Sequence, residues 1–230
     1  MSIGLLQFLF IDCILLAFLM LLTFLLKKPF RLVQKPFFNT ILYVGAVALL
    51  WEIIYVLAGL WEYNSVYTLG LNLIGVPVEK IVLIATEIAI TILVYLWIKI
   101  RFQYSWNRWF LRLLLLIPFL LVLPMTYVNW YDLHTLSAAI LLFFSLLYFL
   151  WFTPDWTPNF LVCCWTLLVP YCVLQLTLTG YFSGITIFNY QSIETQGAYI
   201  LSFPIEDLMY WFVFQFVTIS VFEKFNSRMI

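Results

Sequence analysis

Residues 77–99 read PVEKIVLIATEIAITILVYLWIK, in which a proline and two charged residues precede a long apolar run. A helical run of about 20 apolar residues matches the thickness of a bilayer core. We therefore predict a transmembrane helix over 77–98. Glu87 lies inside this run, and a carboxylate within a span is costly unless it faces a bundle interior or a watery cavity.

Similar apolar runs recur along the rest of the chain. Hydrophobic residues make up 65% of the sequence and charged residues 10%. In a soluble domain roughly half of the residues are hydrophobic and a quarter are charged. The sequence therefore predicts an all-α integral membrane protein with about seven transmembrane helices. Their predicted bounds are 3–26, 38–58, 77–98, 109–128, 134–152, 158–180 and 204–223.

The basic residues predict the orientation of the helices. With seven spans, all but Lys80 of the 11 basic residues fall on one side, in the first-to-second connection, around the third-to-fourth connection and in the C-terminal tail. Because Lys and Arg favour the cytoplasmic side, we expect the N-terminus outside and the C-terminus in the cytoplasm. In a bacterium the membrane is then the plasma, or inner, membrane. The formal net charge of zero gives no indication of a nucleic-acid partner.

Two parts of the chain resemble each other. Pro77-Val78-Glu79-Lys80 and Pro204-Ile205-Glu206-Asp207 each open an apolar span, and each follows an aromatic segment without Lys or Arg, at 59–76 and 181–203. We predict a first repeat over 1–98, a linker helix within 99–130 and a second repeat over 131–230. Parallel repeats of this kind place a site at the interface between the halves.

Carboxylates and aromatic rings are the chemical groups that the sequence supplies. Glu79, Glu206 and Asp207 lie in first helical turns, where free N–H groups also stabilise a carboxylate. A carboxylic acid can protonate an alkene, and aromatic faces stabilise a cation, so the Glu206-Asp207 pair suits such chemistry. His134 is the only histidine and is expected to be a satisfied interfacial residue. Neither a metal cluster nor a glycine-rich dinucleotide motif is present, so we expect no metal and no cofactor.

The motifs around these acids resemble a known family. The first half carries Trp51-Glu52, Gly59-Leu60-Trp61, Tyr63-Asn64, Gly70 and Pro77-Val78-Glu79, and the second carries Leu178-Thr179-Gly180, Tyr190-Gln191, Glu194, Gly197 and Pro204 through Tyr210. The chain resembles the small integral-membrane lycopene cyclases, which occur as two short subunits or as one fused chain of two similar domains. The likeness is to the fused form and covers nearly the whole chain.

This resemblance implies an isomerase, of the intramolecular lyase type, that closes an end ring on a linear carotenoid without net redox change. The partners implied are a lipid-dissolved, lycopene-like carotenoid and membrane lipid, and the ring type and oligomeric state stay open. The implied catalytic residues are Glu79, Glu206 and Asp207. The implied substrate-binding residues are Trp51, Glu52, Trp61, Asn64, Tyr190, Gln191, Glu194 and Tyr210.

One departure from the family pattern concerns the first half-site. Lys80 stands where a second acid is usual, and as a cation it can pair with Glu79 or Asp207. The alternatives are a carotenoid-binding relative, a relative that adds water to the same cation, and a small transporter or proton-relay protein. The last of these would use Asp12, Glu52 and Glu87 as its relay.

Overall fold

The structure is a computed structural model that describes residues 7–102, 104, 106–128, 132–190 and 199–227. In this part of the chain it contains seven α-helices. They are α1 (Gln7–Leu25), α2 (Lys27–Leu57), α3 (Val78–Arg101), α4 (Arg108–Val128), α5 (Leu133–Phe152), α6 (Thr157–Leu178) and α7 (Glu206–Ser227).

Six of these helices, all except α4, are long and apolar enough to cross a membrane. The prediction of an all-α integral membrane protein is confirmed. The helix predicted over 109–128 is present as α4, and its passage through the bilayer stays a prediction. The predicted start of the first helix, at residue 3, lies outside the described residues.

The bounds of α2 differ from the prediction. The second helix was expected over 38–58, after a connection, but the structure has it helical from Lys27. Leu26, with φ −100° and ψ 20°, departs from helical geometry and separates α1 from α2. Pro29 lies in the first turn, where a proline is tolerated, and Pro36 lies inside the helix. Because Pro36 has no N–H, it cannot donate the helical hydrogen bond to the carbonyl of Leu32.

Short strands lie at the end of the bundle where α2 and α6 finish. They are β1 (Trp61–Tyr63), β2 (Asn72–Leu73), β3 (Val76–Pro77), β4 (Phe188–Tyr190), β5 (Tyr199–Ile200) and β6 (Phe203–Pro204). The first and fourth strands pair antiparallel with each other and so join the two aromatic segments of the sequence.

The other four strands form two hairpins of equal register, one before α3 and one before α7. Asn72 pairs with Pro77 in the first hairpin, and Tyr199 pairs with Pro204 in the second. Both turns contain a non-glycine residue in the left-handed region, Ile74 at φ 51° and Leu201 at φ 59°, where L-residues are uncommon. The same register therefore leads into both helices, although the next turn residue is left-handed only in the first hairpin, Gly75 at φ 83°.

The helices pack around α3, the most deeply buried of them. Ile88, Ile92, Leu93 and Tyr95 on α3 are fully buried in the main apolar core, whereas Phe10 on α1 is 65% exposed, as expected for a helix that faces lipid. α1 packs on α3 and α5 on α7, while α2 packs on α7 and α6 on α3. The division into repeats over 1–98 and 131–230 stays a prediction.

Candidate functional site

A cavity of about 370 Å³ lies among α1, α2, α3, α5, α6 and α7 and is bordered by β1 and β4. This volume falls in the usual range of small-molecule sites, roughly 300–1,000 Å³. Most of its wall is apolar or aromatic. Its polar lining consists of Glu52, Tyr63, Lys80, Glu87, Tyr171, Gln175, Tyr190, Asp207 and Tyr210.

Asp207, in the first turn of α7, is the only one of the three predicted catalytic residues among the described residues that line this cavity. The Tyr190 hydroxyl donates a hydrogen bond to its Oδ2. Nε2 of His134 lies 3.7 Å from its Oδ1. One oxygen of Asp207 is therefore held by a phenol, and the other faces an imidazole beyond hydrogen-bonding distance.

His134 itself is almost fully buried at the start of α5. Neither of its ring nitrogens has a hydrogen-bond partner within the described part of the chain. The ring stacks on Tyr210 with centroids 5.2 Å apart, and its backbone carbonyl accepts a 3.0 Å hydrogen bond from the Tyr210 hydroxyl. The expectation of a satisfied interfacial histidine stays a prediction for the ring nitrogens, since Tyr210 satisfies only the backbone carbonyl.

Glu52, on α2, is the second carboxylate of the cavity, and each of its two oxygens faces a polar partner. The Tyr63 hydroxyl donates to its Oε1, and the Lys80 ammonium lies 3.8 Å from its Oε2. From the sequence, Lys80 could pair with Glu79 or Asp207. Among the described residues its ion pair is instead with Glu52, which lies on the neighbouring helix α2.

The two tyrosines that hold these carboxylates come from one pair of strands. In the β1–β4 ladder Trp61 lies opposite Tyr190 and Tyr63 lies opposite Phe188. Burial is the main reason that the pKa of the Tyr63 phenol and that of the Tyr190 phenol lie well above their ordinary value. Both phenols therefore stay protonated and act as hydrogen-bond donors at neutral pH.

Glu79 and Glu206, the other two predicted catalytic residues, are buried but do not line the cavity. Oε1 of Glu79 accepts a 2.5 Å hydrogen bond from the backbone N–H of Leu69, in the segment between β1 and β2. Oε1 of Glu206 accepts a 2.6 Å hydrogen bond from the Thr135 hydroxyl on α5. Within the described part of the chain, Oε2 of each glutamate has no hydrogen-bond partner.

Aromatic rings surround the cavity next to these polar groups. Trp51 packs against Tyr55 at 4.9 Å and against Tyr210 at 6.0 Å between ring centroids. Trp61 contacts Tyr55 at 4.7 Å and Phe188 at 5.5 Å. The cavity wall therefore offers several π faces within reach of a positively charged ligand atom.

The predicted substrate-binding residues fall into three groups. Five of them line the cavity: Trp51, Glu52, Trp61, Tyr190 and Tyr210. Asn64 does not, since its side chain accepts a hydrogen bond from the Val66 N–H and caps a single 3₁₀ turn. Gln191 and Glu194 lie outside the described residues.

Several groups that line the site were not predicted from the sequence. Tyr63, which precedes the predicted Asn64, was not assigned a role, although it carries the contact to Glu52. Glu87 was noted only as an intramembrane acid. Its spacing of seven residues from Lys80 places both on one face of α3, and this spacing is a signal that sequence reasoning alone can detect.

The fold and the lining residues define an integral membrane protein with an aromatic cavity that contains carboxylates. The family model described as Lycopene cyclase matches residues 7–98 and 131–225. The chain therefore belongs to the lycopene cyclase family. No curated protein and no solved structure matches it.

Proposed function

We propose that this protein closes an end ring on a linear, lycopene-like carotenoid by acid–base catalysis, without net redox change. The observation that carries the proposal is the pair of carboxylates, Asp207 and Glu52, in one aromatic cavity. Each is oriented by a phenol from paired strands. A reaction that both adds and removes a proton needs two such groups.

Asp207 is the proposed acid. Its Oδ2 is occupied by the Tyr190 hydroxyl, so Oδ1 is free to carry the transferred proton. The acid protonates the terminal double bond of the open end group and leaves a tertiary cation. The next double bond attacks that cation, and the new carbon–carbon bond closes the ring with the positive charge on a ring carbon.

Glu52 is the proposed base. Its Oε2 lies 3.8 Å from the Lys80 ammonium, and it accepts the proton as a carboxylate. It removes one proton from a carbon next to the cationic ring carbon and so forms the new double bond. One proton enters and one leaves, so the product is an isomer of the substrate, and a proton must return to Asp207 before the next turnover.

The aromatic wall supplies the electrostatic stabilisation of the cation. A cation within about 6 Å of a ring centroid is attracted by the π face. Trp51, Trp61 and Phe188 line the cavity together with Asp207, so a cation formed beside Asp207 has such faces around it. Few other groups are available in a lipid-facing site to stabilise a carbocation without capturing it.

Glu79 and Glu206 are proposed to act without contacting the substrate. Glu206 joins the first turn of α7 to α5 through Thr135, next to Asp207. Glu79 fixes the segment before β2 through Leu69, next to Lys80. Their role in this account is to orient the helix starts that carry Asp207 and Lys80.

The carotenoid is proposed to enter sideways from the membrane. Val47 on α2 lines the cavity and is also 64% exposed on the outer surface of the bundle. Leu141 on α5 and Val217 on α7 line the same region. This apolar opening suits a lipid-dissolved polyene and not a polar solute.

The proposed topology has the N-terminus outside and the C-terminus in the cytoplasm. The strands that border the cavity then lie at the non-cytoplasmic end. The halves over 1–98 and 131–230 are proposed as parallel repeats, which the equal hairpins before α3 and α7 support. The family match, which is divided between 7–98 and 131–225, is consistent with this.

One alternative fits the site less well, and the other two differ from a cyclase in their product. A relay of Asp12, Glu52 and Glu87 would need all three in one polar path, but Asp12 is not among the described residues that line the cavity. A binding protein would leave a carotenoid unchanged, and a hydrating relative would add the mass of water.

Expression in a bacterium that accumulates lycopene tests the proposal. We expect cyclised carotenoid of unchanged mass in the extracted pigments. Unchanged lycopene, with the protein present in the membrane fraction, would contradict the proposal. A product heavier by one water would favour the hydrating alternative.

A further inference from the structure

Lys80 occupies a place in the first half of the chain that corresponds to the place of Asp207 in the second. Each is the third residue after the proline that ends a hairpin, Pro77 or Pro204, and the two hairpins have the same register. Both side chains line the same cavity. The two halves thus present a cation and an acid to one cavity from matching positions.

The contacts of Lys80 are specific. Its ammonium lies 3.8 Å from Oε2 of Glu52 and 5.7 Å from the centre of the Phe188 ring. Its side chain is only 17% exposed. Glu87 also lines the cavity, from the same face of α3, but among the described residues Lys80 forms an ion pair only with Glu52.

Together with Tyr63, Lys80 fixes the orientation of the Glu52 carboxylate. Tyr63 donates to Oε1 and Lys80 pairs with Oε2, so rotation of the carboxylate breaks one of the two contacts. A base held in one orientation reaches one of the neighbouring C–H groups better than the others.

We propose that Lys80 is a positioning residue that directs Glu52 to one particular proton of the cyclised cation and thereby sets the ring type. This inference rests on the proposed function. The cation can lose a proton from the ring carbon that bears the polyene chain, from the neighbouring ring methylene or from the attached methyl group. The three losses give the β, ε and γ rings, and each leaves the same atoms in the product.

The test compares the ring isomers made by wild-type protein and by Lys80→Met in lycopene-accumulating cells, separated by chromatography and identified by absorption and NMR. Wild type is expected to make one predominant ring type. Lys80→Met is expected to change the ratio of ring isomers about tenfold, the size of effect that one pocket contact has on selectivity. Lys80→Arg, which keeps the cation, is expected to restore the ratio at least in part.

Lys99→Met is the matched control. Lys99 also forms an ion pair, with its Nζ 2.6 Å from Oε1 of Glu223, but neither residue of this pair lines the cavity. Removal of this pair changes the amount of protein in the membrane at most and leaves the isomer ratio unchanged.

The outcomes separate this inference from the proposed function. If wild type forms no ring at all, the proposed function fails. If wild type forms rings and Lys80→Met gives the same isomer ratio, only the role of Lys80 is overturned, whatever the total yield. If Lys80→Met does not accumulate, Lys80→Gln replaces it. If neither Lys80→Met nor Lys80→Gln accumulates while Lys80→Arg does, this also counts against the proposal, since the ion pair with Glu52 is then required for folding.

Discussion

Tyr190 in β4 donates a hydrogen bond to the carboxylate of Asp207 in the first turn of α7, and so links the strand pair to the proposed acid. Tyr63 in β1 makes the same kind of contact to Glu52 on α2. Because β1 and β4 pair with each other, a single small sheet positions Asp207 and Glu52, two of the three carboxylates that line the cavity among the described residues. The relative placement of acid and base therefore depends on strands contributed by both halves of the chain.

Asp207→Asn is expected to abolish ring closure while the protein still accumulates in the membrane. The amide keeps the shape of the side chain but cannot deliver a proton, and loss of a general acid costs at least about 100-fold in rate. The measurement is the yield of cyclised carotenoid per amount of membrane protein. Asp155→Asn is the matched control, because Asp155 is 99% exposed. Equal losses in both variants would argue against a specific role of Asp207.

Tyr190→Phe is expected to lower the turnover rate by about tenfold, the free-energy equivalent of one hydrogen bond, without abolishing it. The ring stays in place, but Oδ2 of Asp207 loses its donor. Initial rates with purified protein in lipid vesicles test this. Tyr127→Phe, at a position 84% exposed, serves as the control. Full activity of Tyr190→Phe would show that the phenol does not orient the acid.

Glu206→Gln is expected to retain part of the activity and to cost stability instead. Its side-chain carbonyl can still accept the hydrogen bond from Thr135, and the residue does not line the cavity. Thermal unfolding and the cyclisation rate are measured on the same preparation. A complete loss of activity with unchanged stability would move the acid role from Asp207 to Glu206.

Val47→Trp is expected to raise the KM for lycopene in vesicles with little change in kcat. A larger ring at this exposed edge of the cavity obstructs the apolar opening and removes no polar group of the site. Leu42→Trp is the control, since Leu42 is 67% exposed on the same helix and does not line the cavity. Equal kinetics in the Val47 variant and wild type would place the entry route elsewhere.

Much of this architecture could be predicted from apolar runs and local motifs. The helix after Pro77 begins and ends within a few residues of its prediction, because a long apolar run bounded by a proline and by basic residues has few alternatives. The helical stretch from Lys27 was missed, since its charges and prolines are also typical of a connection. Apolar runs therefore predict the apolar part of a helix better than they predict how far the helix continues into polar sequence.

The polar contacts of the site were harder to predict. Lys80 and Glu52 lie on different helices, and sequence spacing does not show which faces meet. The pairing of Tyr63 with Phe188 across β1 and β4 joins distant segments and depends on the packing of the whole bundle. Acidic motifs could therefore be found in the sequence, whereas the partner of each carboxylate required the three-dimensional structure.

The mass of the product formed in D₂O tests most directly whether ring closure proceeds by protonation followed by proton loss. Purified protein in lipid vesicles, equilibrated in D₂O and in molar excess over carotenoid end groups, is mixed with lycopene. We predict a cyclic product with one deuterium for each ring closed, and a product of the same mass as lycopene when H₂O is used. A ring without deuterium, or a product heavier by one water, would contradict protonation followed by proton loss.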